Sequence, residues 1–89
     1  MRKIKLADGS EYPVEYCGAS GGLVSFSLEE KMSIRECAEI FSDKTKTVKI
    51  DSYQDETLLE SHEGYTHLIC LIEDRFSHKV DVQIVKEEG

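Results

Sequence analysis

The sequence has no tryptophan, a single proline and few aromatic residues, which together make up 8% of the chain. Its longest apolar run, Leu68 to Ile72, is far shorter than the roughly 20 residues that a membrane-spanning helix needs. A signal peptide is not expected either, because Arg2, Lys3 and Lys5 alternate with apolar residues and no apolar core follows. These absences predict a protein without a membrane partner, cytoplasmic by default.

Cysteine and positive charge are also scarce. The three cysteines, Cys17, Cys37 and Cys70, cannot all pair within one chain, and each lies among apolar residues. We interpret them as reduced, buried thiols rather than as nucleophiles or metal ligands. Lys and Arg number 11 against 18 Asp and Glu, giving a net charge of −7. Phosphate binding normally needs clustered Lys and Arg, so we expect no direct nucleic-acid binding.

The remaining composition, 39% hydrophobic and 33% charged over 89 residues, is typical of one globular domain, residues 1–89. A chain of this size buries only about 60 to 65% of its unfolded surface. A deep, dry active-site cavity would therefore be difficult to accommodate.

One helix is strongly indicated. Ser33 is placed as an N-cap with Glu36 three residues later, the spacing of a capping box. Apolar residues at helical spacing then predict a buried face: Ile34, Cys37, Ala38 and Phe41. Lys44 and Lys46 follow, and we interpret them as cations near the helix C-terminus, where positive charge is favoured.

Alternating apolar residues predict a hairpin at the start of the chain. A three-residue loop pairs Leu6 with Ser10 and Ile4 with Tyr12, with Gly9 left-handed in a G1 bulge. Pro13 lacks an N–H group, so the second strand is expected to lie at an edge or to break its ladder there.

Further strands are predicted at 23–28, 47–52, 57–61, 66–73 and 79–86. Their expected inward residues are Val24, Phe26, Leu28, Val48, Ile50, Val80, Val82 and Ile84. For 66–73 the inward-facing set is either Leu68-Cys70-Ile72 or His67-Ile69-Leu71. Because both sets are apolar enough to face inward, the strand is expected to be covered on both faces. The predicted fold is α+β, a mainly antiparallel sheet of five to seven strands with one short helix packed on it, in the order β-β-β-α-β-(β)-β-β.

No constellation of chemical groups stands out. Gly18 to Gly22 joins two predicted strands, so it is interpreted as a hairpin turn rather than a phosphate loop, and Ser20 lacks the strand-to-helix setting of a nucleophile elbow. The histidines His62, His67 and His78 do not have zinc-site spacing and are interpreted as exposed. The acidic pairs Glu29/Glu30, Asp55/Glu56, Glu73/Asp74 and Glu87/Glu88 are interpreted as solvated charge. We therefore predict no catalytic residue, no cofactor and no metal.

Tyrosines are better candidates for recognition, because each combines apolar area with a polar tip. The chain has four of them: Tyr12, Tyr16, Tyr53 and Tyr65. For Tyr65, packing in the core is an alternative to recognition, and it is the preferred interpretation. The residues proposed for contact with a protein partner are Tyr53, Tyr65, Lys44 and Lys46.

Three segments, 4–10, 40–50 and 63–66, resemble small uncharacterised proteins encoded near tail genes in prophages of Firmicutes. The likeness extends over most of the chain but not over its cysteines or its last residues, 86–89. The resemblance implies a phage or prophage origin, a partner among phage structural proteins and a cytoplasmic or virion-associated location. It implies no catalytic residues.

The leading hypothesis is thus a non-enzymatic protein-binding or structural module that acts through a sheet surface or edge. An alternative is an acidic nucleic-acid mimic that inhibits a DNA-binding enzyme, and a third is a small metal-dependent hydrolase using His62, His67 or Cys70. A homodimer is also expected, because small sheets often complete their free edges with a second copy.

Overall fold

The computed structural model describes residues 1–77 and 79–87, which form seven strands and two helices. The strands are β1 (Arg2–Leu6), β2 (Glu11–Ser20), β3 (Leu23–Leu28), β4 (Lys49–Gln54), β5 (Thr57–Glu63), β6 (Tyr65–Glu73) and β7 (Val80–Lys86). The helices, α1 (Ile34–Phe41) and α2 (Lys44–Thr47), both lie between β3 and β4 in the chain.

The strands form one sheet in the order β5-β4-β1-β2-β3-β7-β6, and all neighbouring pairs are antiparallel. The predicted α+β class is confirmed. β2 is shared between two halves of the sheet: its residues up to Pro13 pair with β1, and its residues from Val14 onward pair with β3. Pro13 therefore lies where the ladder changes partners, not on an edge strand.

The first hairpin has the turn expected from its sequence, whereas the second has a shorter turn than the expected Gly18 to Gly22. Ile4 pairs with Tyr12, the Leu6 N–H donates to the Ser10 carbonyl at 2.9 Å, and Gly9 has a φ of 91°. These findings confirm the three-residue loop. β2 continues through Ser20, so only Gly21 and Gly22 form the next turn, and their φ values of 59° and 78° fit a two-residue type I′ hairpin.

The sheet bends so that its two end strands meet at Gly64, the single residue between β5 and β6. The Gly64 N–H donates to the Val48 carbonyl, and the Gly64 carbonyl accepts from the Glu87 N–H. Its φ of 83° is a conformation that glycine adopts without strain. One glycine thus ties the β4 end of the sheet to the β7 end.

The inner side of the bent sheet holds the core, and α1 packs into it. Phe41 of α1 contacts the Phe26 ring with centroids 5.2 Å apart and the Tyr12 ring at 5.7 Å, both edge to face. The predicted inward residues of β3 and β7 are all buried, as are Ile4, Leu6, Val14, Cys37 and Ile50. Burying a large side chain such as Phe26 stabilises the fold by about 1.5 to 3 kcal/mol.

Two expectations for α1 need correction. Ile34 is 40% exposed because it lies in the first turn, before the helix reaches the sheet, whereas Cys37 and Phe41 are buried. Ser33 does cap the helix by accepting the Glu36 N–H at 3.1 Å. The Glu36 carboxylate, however, accepts from the Ser33 hydroxyl at 3.3 Å, so only one half of a capping box forms.

The second helix, α2, was not predicted. Asp43 caps it by accepting the Thr45 N–H at 2.9 Å and the Thr45 hydroxyl at 2.6 Å. Lys44 and Lys46 lie within α2, not at the end of α1. The predicted strand at 47–52 therefore begins at Lys49, and Val48 is exposed rather than inward, while Ile50 is buried as expected.

Strand β6 also departs from expectation. It lies at one end of the sheet, and its ladder with β7 shifts twice, between Tyr65 and His67 and between Leu68 and Cys70. Neither proposed alternation can hold across such bulges, because each inserts an extra residue. Leu68 and Leu71 pack against the core while Ile69 and Ile72 are exposed, so the strand is not covered on both faces.

Candidate protein-contact surface

Outward-facing residues of β2, β3, β7 and β6 form what we term the low-charge face. Cross-strand pairing places them in three rows of four. The rows are Tyr16-Ser27-Asp81-Ile72, Gly18-Ser25-Gln83-Cys70 and Ser20-Leu23-Val85-His67. Four of these residues are exposed, Ser27 is buried at 3% exposure, and the other seven are half-buried. Eleven of these twelve residues carry no full charge when histidine is neutral, although 33% of the chain is charged. The middle row consists of small or uncharged side chains, which leaves a surface that is inexpensive to desolvate.

Asp81 is the one carboxylate of the low-charge face, and a tyrosine partners it. The Tyr16 hydroxyl lies 3.3 Å from the Asp81 carboxylate and donates to it. Burial first, and then the neighbouring Asp81 charge, raise the pKa of the Tyr16 hydroxyl, so it stays protonated and remains a donor at neutral pH. The charge at this end of the face is thereby partly satisfied within the chain.

Outward-facing residues of β5, β4, β1 and the start of β2 form a second surface, the charged face. Pairing and alternation assign ten residues to it: Leu58, Ser61, Glu63, Lys49, Asp51, Tyr53, Lys3, Lys5, Glu11 and Pro13. Six of the ten are charged, three of each sign. Lys3 pairs with Glu11 at 3.2 Å and Lys49 lies 3.9 Å from Asp51, so charged residues of this face form ion pairs with one another.

Apolar side chains continue from the low-charge face to the β6–β7 hairpin. Ile72 is 53% exposed at the end of the first row, and Ile69 in the same strand is also exposed. Phe76, at the tip of the hairpin, is 98% exposed. These three side chains add exposed apolar area at and beside the β6 end of the low-charge face.

The four contact residues proposed from sequence all lie away from the low-charge face. Tyr53 lies on the charged face, where the Lys3 ammonium is 5.8 Å from its ring centroid. Tyr65 is only 5% exposed and belongs to the core, the alternative preferred for it. Lys44 is 3.9 Å from Glu87, and Lys46 is half-buried in α2, where its carbonyl accepts the Ala7 N–H.

Histidine and cysteine side chains do not converge into a metal site within the described part of the chain, where no cluster of three His, Cys, Asp or Glu has suitable geometry. His62 is buried, contrary to expectation, because it points inward opposite Ile50 and packs edge-on against Tyr65. His67 is half-buried, and His78 and Glu88 lie outside the described residues.

Two of the cysteines are poor nucleophiles by environment. Burial raises the pKa of the Cys17 thiol to about 11, and burial also raises the pKa of the Cys37 thiol. Both thiols are therefore protonated at neutral pH, and the thiolate is the reactive form. All three cysteines are free, with Cys70 half-buried in the middle row of the low-charge face.

No protein-family model matches the chain, and no curated protein or solved structure is significantly similar to it. Within the described ranges, no helix is long and apolar enough to cross a membrane. The site must therefore be argued from its own geometry.

Sequence reasoning identified only the inward half of each alternating strand as informative. Tyr16 was among the tyrosines considered for recognition, but Ser25 and Gln83 were not singled out, and Ile72 was considered only as a possible inward residue. The signal was present in the complementary positions, since the residues between the inward Val24, Phe26 and Leu28 are both serine. It becomes meaningful only when strand order places β3 beside β7, which no local pattern reveals.

Proposed function

We propose that this protein is a non-enzymatic module that binds a protein partner through the low-charge face. The observation that carries the proposal is the twelve-residue outward surface with one charge, Asp81, on a chain of net charge −7. Depletion of charge at the centre and enrichment in aromatic residues are what distinguish the core of a protein interface. Tyr16 and Phe76 supply exposed aromatic anchors beside it.

The resemblance to prophage proteins supports a partner among phage structural proteins and a cytoplasmic or virion-associated role. A second copy of the chain is a further candidate partner for the same surface. Two chains of net charge −7 repel each other, and this repulsion opposes self-contact least at a surface that has few carboxylates. Either partner uses the same residues, so one set of variants tests both.

The nucleic-acid mimic gains less support. A mimic needs carboxylates arrayed on one surface, in the manner of phosphates along a backbone. On the charged face the acidic residues Glu11 and Asp51 are paired with lysines, and the low-charge face has Asp81 alone. The distribution of charge therefore supports a protein-binding module better than a nucleic-acid mimic.

Two outward-facing positions allow a test matched in charge. Ser25→Lys adds one positive charge in the middle of the low-charge face, and Glu11→Gln changes the net charge by the same amount on the charged face. Affinity capture from the native host should retain the same partner with wild type and Glu11→Gln, and lose it with Ser25→Lys. Equal retention by both variants, or equal loss, would contradict the proposal.

Sedimentation at micromolar concentration separates the two partners. If a second copy occupies the face, wild type and Glu11→Gln sediment above the 10.1 kDa of one chain, and Ser25→Lys sediments as a single chain. If wild type sediments as one chain, the partner is a different protein.

A further inference from the structure

The two strands at the ends of the sheet order are not equally protected. Both α1 and α2 pack against β6, whereas β5 pairs with β4 on one side and, within residues 1–77 and 79–87, with no strand on the other. An edge strand without cover presents unpaired N–H and C=O groups to solvent. β5 is therefore a template on which another strand can pair.

Strand β5 is also unusually exposed along its length. Of its seven residues only His62 is buried, and Leu58 and Leu59 are 51% and 43% exposed. Ser52 pairs with Glu60 and Tyr53 with Leu58, so Leu59 is the extra residue of a bulge in this ladder. Two neighbouring leucines at an open edge are apolar area that a partner strand would cover.

The charge along β5 restricts what that partner can be. From Asp55 to Glu63 the chain has four carboxylates, at Asp55, Glu56, Glu60 and Glu63, and no Lys or Arg. Glu60 and Glu63 lie in β5 itself, whereas Asp55 contacts the N-terminal ammonium. Pairing with β5 of a second copy would bring Glu60 and Glu63 within one strand spacing of an identical pair. Like charges on opposed strands are destabilising, so self-pairing at this edge is disfavoured.

We propose that β5 binds an extended, basic segment of another protein by strand addition. Main-chain hydrogen bonds to the open edge hold the segment, and an apolar side chain covers Leu58 or Leu59. Glu60 lies on the inner side of β5 and Glu63 on the outer side, so Lys or Arg side chains on both faces of the segment are needed to contact them. This site is separate from the low-charge face and does not rest on the function proposed for it.

The test uses a short acetylated and amidated peptide in which pairs of Lys alternate with pairs of Val, so that both faces of the extended peptide present Lys, titrated into the isotope-labelled protein. We expect amide chemical-shift changes and slower hydrogen exchange in Thr57–Glu63, because new main-chain hydrogen bonds form there. A control peptide keeps every Lys but replaces alternate Val residues with Pro, which removes N–H donors. It should bind more weakly and give no exchange protection.

Matched variants test the role of charge. Glu60→Gln with Glu63→Gln should weaken peptide binding about three- to tenfold, the range for two exposed charge contacts. Glu29→Gln with Glu39→Gln makes the same change in net charge at exposed positions away from β5 and should have less effect. Gln83→Lys, on the low-charge face, should leave the response of the β5 amides intact.

Three results would overturn the proposal: no binding of the Lys-Val peptide, equal binding of the Pro-containing peptide, or equal weakening by the two pairs of Gln variants. Changes centred on β3 and β7 rather than on β5 would also overturn it. Loss of the host partner in Ser25→Lys has no bearing on any of these outcomes, so the two proposals fail independently.

Discussion

The low-charge face and the charged face belong to the same sheet, share β2 and cover one core. They differ in how many charged side chains they carry and in how those charges are paired. On the charged face, lysine and carboxylate side chains alternate across strands and satisfy one another, as Lys3 and Glu11 do at 3.2 Å. On the low-charge face, serine, glycine and glutamine occupy the equivalent positions, and the single carboxylate accepts from Tyr16.

We propose that this difference reflects different uses. Exposed ion pairs contribute only about 0 to 1 kcal/mol each to stability, so the charged face is explained by solvation and by avoidance of unwanted contacts. An outward surface of small uncharged residues forms no such ion pairs. Its composition is better explained by contact with another protein, for which few charges have to be desolvated.

The largest expected effect comes from removing a side chain of the hydrophobic core beneath both faces. Phe26 points inward from β3 between Ser25 and Ser27 and packs against Phe41. Phe26→Ala should lower the free energy of unfolding by about 3 to 5 kcal/mol. Ser25→Lys, the neighbouring outward residue, should change it by less than about 0.5 kcal/mol. Urea denaturation of both variants measures the contrast, and similar losses would show that Ser25 also supports the fold.

A smaller effect is expected from the cap of the helix that packs against β6. Ser33→Ala removes the acceptor for the Glu36 N–H and should cost about 1 kcal/mol. Because α1 packs against β6, hydrogen exchange should accelerate more in β6, at the margin of the low-charge face, than in β4. Ser33→Asp, which keeps a capping acceptor, is the control and should restore the wild-type exchange pattern.

Smaller still is the coupling between charges on the charged face. A double-mutant cycle of Lys3→Ala and Glu11→Ala should give about 0.2 to 1 kcal/mol, falling as salt is added. The Tyr16–Asp81 hydrogen bond, tested with Tyr16→Phe and Asp81→Ala, involves one charge and should respond less to salt. If both couplings fall equally with salt, the electrostatic distinction between the faces is wrong.

The smallest effect is a pH dependence outside both faces. Hydrogen bonds from the Thr45 hydroxyl and N–H lower the pKa of Asp43 below its ordinary value of 3.8. The stabilisation is therefore complete above that value and is lost as pH falls through the folded-state pKa. Asp43→Asn keeps a capping side chain without the titration, so its stability should decline less in acid. Thermal unfolding of both proteins at neutral pH and below about pH 4 measures the difference.

Local sequence patterns predicted much of the inner side of the fold. The first hairpin, the cap at Ser33 and the inward residues Val24, Phe26, Val82 and Ile84 are confirmed, because each depends on neighbours in the chain or on strict alternation. The bulges of β6 and the short helix α2 were missed. The bulges depend on the pairing of β6 with β7, and α2 belongs to the connection between β3 and β4. Local hydrophobic periodicity does not encode either feature.

The contact surface was the least predictable part for the same reason. Tyr53, Tyr65, Lys44 and Lys46 were chosen by residue type, but strand order decides which side chains lie together. Ser25, Gln83 and Cys70 are distant in sequence and become neighbours only because β7 pairs with both β3 and β6. Their shared lack of charge is visible only in that arrangement.

The claim that the low-charge face is the interaction surface is tested most directly by site-specific photocrosslinking in the native host. A photoreactive phenylalanine analogue is placed at Gln83 in one protein and at Lys5, on the charged face, in another. The account predicts a discrete crosslinked partner from position 83 and little from position 5. Equal crosslinking from both positions, or crosslinking from position 5 alone, would contradict it.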